Sequence, residues 1–312
     1  MIKGWRVRHA PCMVCGNTDY NDLWIKDEFH YVCCYSCDLV RVNPQLLMSE
    51  VARIYSVGYQ SKHEFHPGSQ IASPYHKGLL ECMQSYRQLG RILDVGCFTG
   101  KFLSAAKEAG WQVSGLEISK EAVQRATRDQ LGLDIRQDTL LRTDFETETF
   151  DVVTMFDVVE HFQKPLPNLK KAAQLLRPKG LLYIETPNFN SISCYFLGKN
   201  WNVFFPWHFY YFNARTIRHT LERTGFRVMK IQAVDIGPLS RFNAFRNLQN
   251  SGNISRMNLA KRLKNRGLVS THLRSIRVAY HYMRNIKNIP FKALSLLGIH
   301  VGSKLIVWAE RL

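Results

Sequence analysis

The sequence predicts a doubly wound α/β protein built on a seven-stranded sheet, with a small cysteine-built ribbon in front and a basic helical insertion before the last strand. Three observations lead there. Strand-like apolar runs alternate with helical stretches from Arg91 onward, a glycine turn follows the first of those runs, and two Cys-x-x-Cys pairs stand near the start of the chain. At 312 residues with 46% hydrophobic content, the chain has room for one large core and smaller appendages.

Cys12-Met-Val-Cys15 and Cys34-Tyr-Ser-Cys37 are separated by 18 residues. Each pair is short enough to turn both sulfurs onto one ion, and the two pairs complete a tetrahedral thiolate set. Gly16 suits the tight turn after the first pair, and Leu23 to Tyr35 has the aromatic and β-branched content of a hairpin. A structural zinc ion on Cys12, Cys15, Cys34 and Cys37 is therefore expected, with Cys33 as a spare thiol. Four thiolates leave no open position for catalysis, so such an ion staples a segment too small to bury its own core. Met1 to Ala10 carries Lys3, Arg6 and Arg8 with no apolar run behind them, so no signal peptide is expected. No stretch approaches the roughly 20 apolar residues that span a bilayer. The expected setting is the reducing cytoplasm, where metal binding outranks disulfides.

From Arg91 the chain reads as a strand running through Asp94 into Gly96 and Gly100, then a helix from Lys101 to Ala109. A second strand, Trp111 to Leu116, ends at Glu117, and Ser119 caps a helix reaching Gln130. Leu133 to Arg136, Phe150 to Met155 and Leu181 to Glu185 supply further strands, with a helix from Leu166 to Leu176 before the last of them. Phe226 to Val234 and Ser303 to Arg311 complete the sheet. Ligands of such sheets sit beyond the carboxyl ends of the strands. There the glycines let the backbone approach a ligand, Asp94 can position the loop, and Glu117 can accept hydrogen bonds from both hydroxyls of a ribose.

Leu93-Asp-Val-Gly-Cys-Phe-Thr-Gly100 resembles motif I of class I S-adenosylmethionine (SAM) dependent methyltransferases. Phe150 to His161 resembles their fourth strand and following loop, and Leu175 to Asn188 their fifth-strand signature. The similarity runs over about Lys77 to Val234 and resumes at the closing strand. It implies a Rossmann-like sheet, SAM as methyl donor, and a cofactor pocket lined by Asp94, Gly96, Gly100, Glu117, Phe156 and Asp157. Phe98 stands where the common pattern has a middle glycine.

Methyl transfer asks the protein to align the acceptor and remove its proton. His208, in the aromatic stretch Asn200 to Asn213, is the first candidate base, followed by His161 and Glu160. The plain alternatives are that His161 caps or hydrogen-bonds a nearby helix and that His208 packs among aromatic rings. The ribbon and the His208-Phe-Tyr-Tyr-Phe-Asn213 stretch are similar to those of sugar C-methyltransferases, although Trp207 occupies the position of their Glu. Asp157, Glu160 and His161 resemble the carboxylate-x-x-Glu-His metal motif of ubiquinone-pathway O-methyltransferases and small-RNA 2′-O-methyltransferases, which implies a second divalent ion at Asp157, Glu160, His161 and His208. The expected acceptor is a sugar or glycan-pathway molecule, nucleotide- or lipid-linked. RNA methylation and a non-catalytic SAM-fold binding module are the alternatives.

The formal charge of +17 is concentrated late: Ile236 to Ala309 contains no Asp or Glu, while Arg241, Arg246, Arg256, Lys261 and further Lys and Arg residues fill it. Ser270 caps an expected helix to Ile289 with Leu273, Ile276, Tyr280 and Met283 on one face. Such a helix suits peripheral contact with an anionic membrane at its inner, cytoplasmic face, or a lid on the core. Nucleic acid fits less well, because the segment lacks regularly interleaved aromatics. The expected organisation is a ribbon over 1–42, a helical linker and cofactor cover over 43–88, the core over 89–235, the basic insertion over 236–301 and the closing strand over 302–312.

Overall fold

A computed structural model of the protein describes residues 4–54, 74–129, 132–234 and 300–312. The expected helix from Ser270 to Ile289, most of the 236–301 insertion and its expected membrane contact lie outside the described residues. No helix among the described residues is long and apolar enough to cross a membrane.

The main sheet has seven strands: β6 (Arg91–Val95), β7 (Gln112–Glu117), β8 (Asp134–Gln137), β9 (Phe150–Phe156), β10 (Leu176–Pro187), β12 (Phe226–Val234) and β13 (Lys304–Arg311). Their order is β12-β13-β10-β9-β6-β7-β8. Every neighbouring pair from β10 to β8 is parallel, whereas β13 runs antiparallel between β10 and β12. The chain builds outward from β6 to β8, then returns to lay β9 against the other side of β6. That reversal opens a crevice beyond the ends of β6 and β9, where open α/β sheets bind ligands.

Side-chain alternation divides the core between the two faces of the sheet. Leu93, Val95, Val153, Met155, Leu182 and Ile184 face one cluster, and Ile92, Val152, Leu181, Tyr183 and Ile306 the other. The second cluster is closed by α1 (Pro74–Met83) and α2 (Lys101–Glu108) through Leu79, Leu80, Met83, Phe102 and Leu103. The helix expected to begin after Ser119 is α3 (Lys120–Asp129), capped where Ser119 Oγ accepts from Ala122 N at 3.2 Å. Strand β10 begins at Leu176, five residues before the expected Leu181, because Leu176 already pairs with Phe150 ahead of a register shift. At the opposite, amino end of β9, buried Asp151 accepts from Gly90 N at 2.6 Å and Arg177 Nε at 2.6 Å. Burial alone would raise its pKa, but the guanidinium and the surrounding N–H groups outweigh that and hold it low.

The N-terminal ribbon forms β2 (Tyr20–Lys26), β3 (Phe29–Cys34) and β4 (Val40–Val42). Its sheet is completed by β11 (Tyr210–Tyr211), contributed by the aromatic stretch of the core. The short strands β1 (Val7–Arg8) and β5 (Gln45–Leu46) pair beside it. Trp24, Tyr31, Phe204 and Tyr211 interlock across the junction, with ring centroids 5.0 Å apart for both Trp24–Phe204 and Tyr31–Phe204. Ribbon and core therefore share one hydrophobic cluster.

Candidate functional site

The turn after β6 is built from left-handed residues: Gly96 at φ 71°, Phe98 at 50° and Gly100 at 73°. Gly96 is obligatory on a second count, since a Cβ there would meet Val158 Cγ2 at 2.5 Å. Glu117, at the tip of β7, closes the turn. Its Oε2 accepts from Phe98 N at 3.0 Å and its Oε1 from Ser119 N at 2.8 Å. Burial raises its pKa against these hydrogen bonds. Asp94 lies inside the sheet, where Thr154 Oγ1 donates to its Oδ1 at 2.7 Å, and burial pushes its pKa up to about 7. The carboxylate thus ties β6 to β9. Phe156 forms one wall of the crevice with Phe102 at 5.0 Å and Tyr183 at 5.5 Å between centroids, and His76 from α1 adjoins them.

Asp157 takes a left-handed φ of 54° and turns its carboxylate to Lys304 Nζ, 2.6 Å away. The same ammonium reaches Glu185 Oε2 at 3.1 Å, and Glu185 Oε1 accepts from Tyr183 at 2.9 Å and also from Tyr75. This network was not legible in the sequence. Lys304 and Glu185 both stand at the ligand-facing ends of their strands, but only the antiparallel insertion of β13 brings them together.

Beyond β9, a single 3₁₀ turn (Val159–His161) and the loop leading to β11 bring Glu160, His161 and His208 together, with their ligand-type atoms all within 4.8 Å of one another. Asp157, grouped with them by sequence, is not in this cluster because Lys304 holds it elsewhere. Glu160 is buried, and its Oε2 accepts from Thr186 Oγ1 at 2.9 Å, while Oε1 has no hydrogen-bond partner. Burial, reinforced by the charge of Asp157, pushes its pKa up to about 8. His161 Nδ1 lies 3.0 Å from the Trp207 carbonyl, which fixes that nitrogen as the N–H donor. Burial lowers its pKa to about 4. His208 meets His161 edge-on at 4.5 Å, and its Nδ1 is buried without a hydrogen-bond partner. Burial and the neighbouring imidazole hold its pKa well below the usual range, against a weaker opposing pull from the Val203 carbonyl. Two buried polar atoms without partners beside a pinned imidazole are costly in a metal-free protein. The same donor set of two imidazoles and a carboxylate suits a divalent ion with open positions.

The four ribbon cysteines also converge. Cys12 and Cys37 Sγ are 3.6 Å apart, Cys15 and Cys34 Sγ are 3.4 Å apart, and all four lie within 4.8 Å. Thiolates around one zinc ion stand about 3.8 Å apart, so the set fits a tetrahedral ion. Backbone N–H groups of Val14 and Cys15 serve Cys12, that of Asn17 serves Cys15, and that of Leu39 serves Cys37. Cys33 stays outside the cluster, and burial pushes its thiol up to about 12.

Residues 68–231, more than half of the chain, match the family described as Methyltransferase domain. A ubiquinone biosynthesis O-methyltransferase of Actinobacillus pleuropneumoniae is 33% identical over 107 residues, which is 31% of this chain and 46% of that protein. Its counterpart in Haemophilus ducreyi is 35% identical over 107 residues, covering 31% and 45%. The match spans about half the length of these curated relatives. Among solved structures, a SAM-dependent methyltransferase of Archaeoglobus fulgidus aligns with a TM-score of 0.50 at 21% identity, over 78% of this chain and 95% of that one, a likeness of fold.

Proposed function

The chain belongs to the methyltransferase domain family, and from that premise we propose that it methylates a hydroxyl of a small-molecule acceptor beside Glu160, His161 and His208. In this reading its methyl donor is SAM, as the family match supports. S-adenosylmethionine supplies an electrophilic methyl group, and the protein has to bind, orient and deprotonate around it. In this reading Gly96 and Gly100 give the donor close backbone approach, and Glu117 takes the ribose hydroxyls on the lone pairs that Phe98 N and Ser119 N leave open. Phe156 lines the crevice, Asp94 braces the turn from within, and Asp157 holds the rim through Lys304.

One observation carries the acceptor side: Glu160 Oε1 and His208 Nδ1 are buried without a hydrogen-bond partner, in two residues that cluster with His161. An imidazole held so far below its usual basicity is a weak base by itself, so the geometry favours Glu160, His161 and His208 as ligands of a divalent ion. That ion would supply Lewis acidity toward the acceptor hydroxyl. The second reading is metal-free, with His208 Nδ1 taking the hydroxyl proton, and it rests on the same unpartnered nitrogen. The zinc ion proposed for Cys12, Cys15, Cys34 and Cys37 is structural in both.

Within hydroxyl acceptors, we favour a sugar or glycan-pathway molecule, nucleotide- or lipid-linked. The support is a cysteine ribbon joined through β11 to an aromatic loop, the pairing that resembles sugar methyltransferases. Relatives named for ubiquinone biosynthesis favour a phenolic hydroxyl as the alternative. A lipid-linked acceptor would give the basic 236–301 segment its purpose, at the cytoplasmic face of an anionic membrane.

The test is transfer of tritiated methyl from SAM to nucleotide sugars, polyprenyl-linked sugars and polyhydroxylated phenols, before and after EDTA treatment. The metal reading expects activity to vanish with EDTA and return with added divalent ion. Full activity in EDTA, lost by about 100-fold in His208→Ala, would move the assignment to the base reading. Normal turnover by His208→Ala would remove both.

A further inference from the structure

Arg41 is 1% exposed, and its Nε and Nη1 have no hydrogen-bond partner; Nη2 alone donates to the Ala10 carbonyl at 3.3 Å. Arg8 Nε and Nη2 are likewise buried and unpaired. No carboxylate pairs with either guanidinium among the described residues. Strand pairing brings the two arginines to one place. Arg8 lies opposite Gln45, Arg41 lies opposite Tyr210, and Arg8, Arg41 and Cys12 all sit close enough to the Tyr210 hydroxyl to act on it electrostatically. Arg41 also acts on Cys33, and Tyr20 offers it a ring face at 5.3 Å. A buried guanidinium without an anion loses its hydration uncompensated, so such a pair calls for a counter-charge. The carboxylate nearby, Asp38, is already paired with Arg215, which leaves the thiols as the acidic groups this region can offer. Four thiolates around one divalent cation form a dianion, and Cys12 and Cys34 are fully buried.

We infer that Arg41, assisted by Arg8, is the buried counter-charge of a zinc tetrathiolate at Cys12, Cys15, Cys34 and Cys37. The inference rests on the zinc reading of that cluster. Two cations balance a dianion whose Cys12 and Cys34 sulfurs are fully buried, so the arginines favour the metal-loaded ribbon. With the zinc removed, the same guanidiniums lose the charge of the tetrathiolate and destabilise the ribbon. Arg41 thereby acts as a positioning residue for the metal, not as a ligand.

The experiment uses the full-length chain and the variants Arg41→Met, Arg41→Lys and Arg8→Gln. Bound zinc is measured by elemental analysis, zinc release on thiol modification is followed with a metal-indicator dye, and melting temperature is recorded with and without zinc. Wild type is expected to hold one zinc per chain. Arg41→Met should release it about tenfold faster or more, the range for outer partners of metal ligands, and Arg41→Lys should fall between. The gain in melting temperature on adding zinc should be smaller in Arg41→Met than in wild type. A residue that merely filled space would lower both melting temperatures equally. Should Arg41→Met fail to fold, Arg8→Gln and Arg41→Lys carry the comparison. Zinc bound stoichiometrically but released at wild-type rates from every variant refutes this inference alone. Wild-type protein that binds no zinc refutes the metal reading, and this inference with it.

Discussion

Replacing Gly96 by alanine perturbs the cofactor turn in two separable ways. The first is conformational: at φ 71° an L-residue sits in the left-handed region, at a cost of about 1–2 kcal/mol. The second is steric, because the new Cβ would stand 2.5 Å from Val158 Cγ2, and forcing a methyl into packed surroundings costs about 1–3 kcal/mol. Together these give about 2–5 kcal/mol, or roughly 4–20 °C of melting temperature for a domain of this size. The β-branched Val158 cannot swing aside freely, so the turn itself should shift. Calorimetric SAM affinity should then fall at least about tenfold, which takes only ~1.4 kcal/mol. Adding Val158→Ala removes the obstacle and leaves the φ strain, so the double variant should recover the steric share relative to Val158→Ala alone. Unchanged affinity and stability in Gly96→Ala would refute the close-approach role of this turn. Equal losses in the single and double comparisons would refute the Val158 contact as its cause.

Glu117→Ala should abolish SAM binding in the same calorimetric assay, and unaltered affinity would withdraw the ribose assignment. In EDTA, stability should fall as pH rises from about 4.5 toward 8, because Glu160 keeps its proton in the folded state up to about 8 and loses it near 4.5 when unfolded. Denaturant titrations of Glu160→Gln should lack that part of the slope; an identical pH profile would show that burial does not hold the proton. Co-sedimentation with anionic vesicles, weakening with salt, is expected for the full chain, and retention of RNA in place of vesicles would redirect the partner assignment.

Local chemistry was legible in the sequence wherever a few adjacent residues determine the structure. The glycines at 96 and 100 mark positions where the chain must turn left-handed, and the paired cysteines carry their spacing with them. The acidic residue at the tip of the second strand falls where a period-two strand must end. Asp157 was harder. Its neighbours Glu160 and His161 suggest a shared purpose, but a positive φ and an ammonium 147 residues away along the chain send its carboxylate in another direction. The burial of Arg41 was equally hidden, since a lone arginine in a strand reads as solvated until β11 covers it.

The hydrogen bonding of β11 to β4 bears on how this protein can be dissected. A fragment cut after residue 42 would leave Tyr210 and Tyr211 facing solvent as an unpaired ribbon edge, beside Phe204 stripped of Trp24 and Tyr31. Exposed strand edges flanked by aromatic surface invite self-association. Trimming away the ribbon would thus yield an aggregating remnant, and expression strategies should keep both parts on one polypeptide.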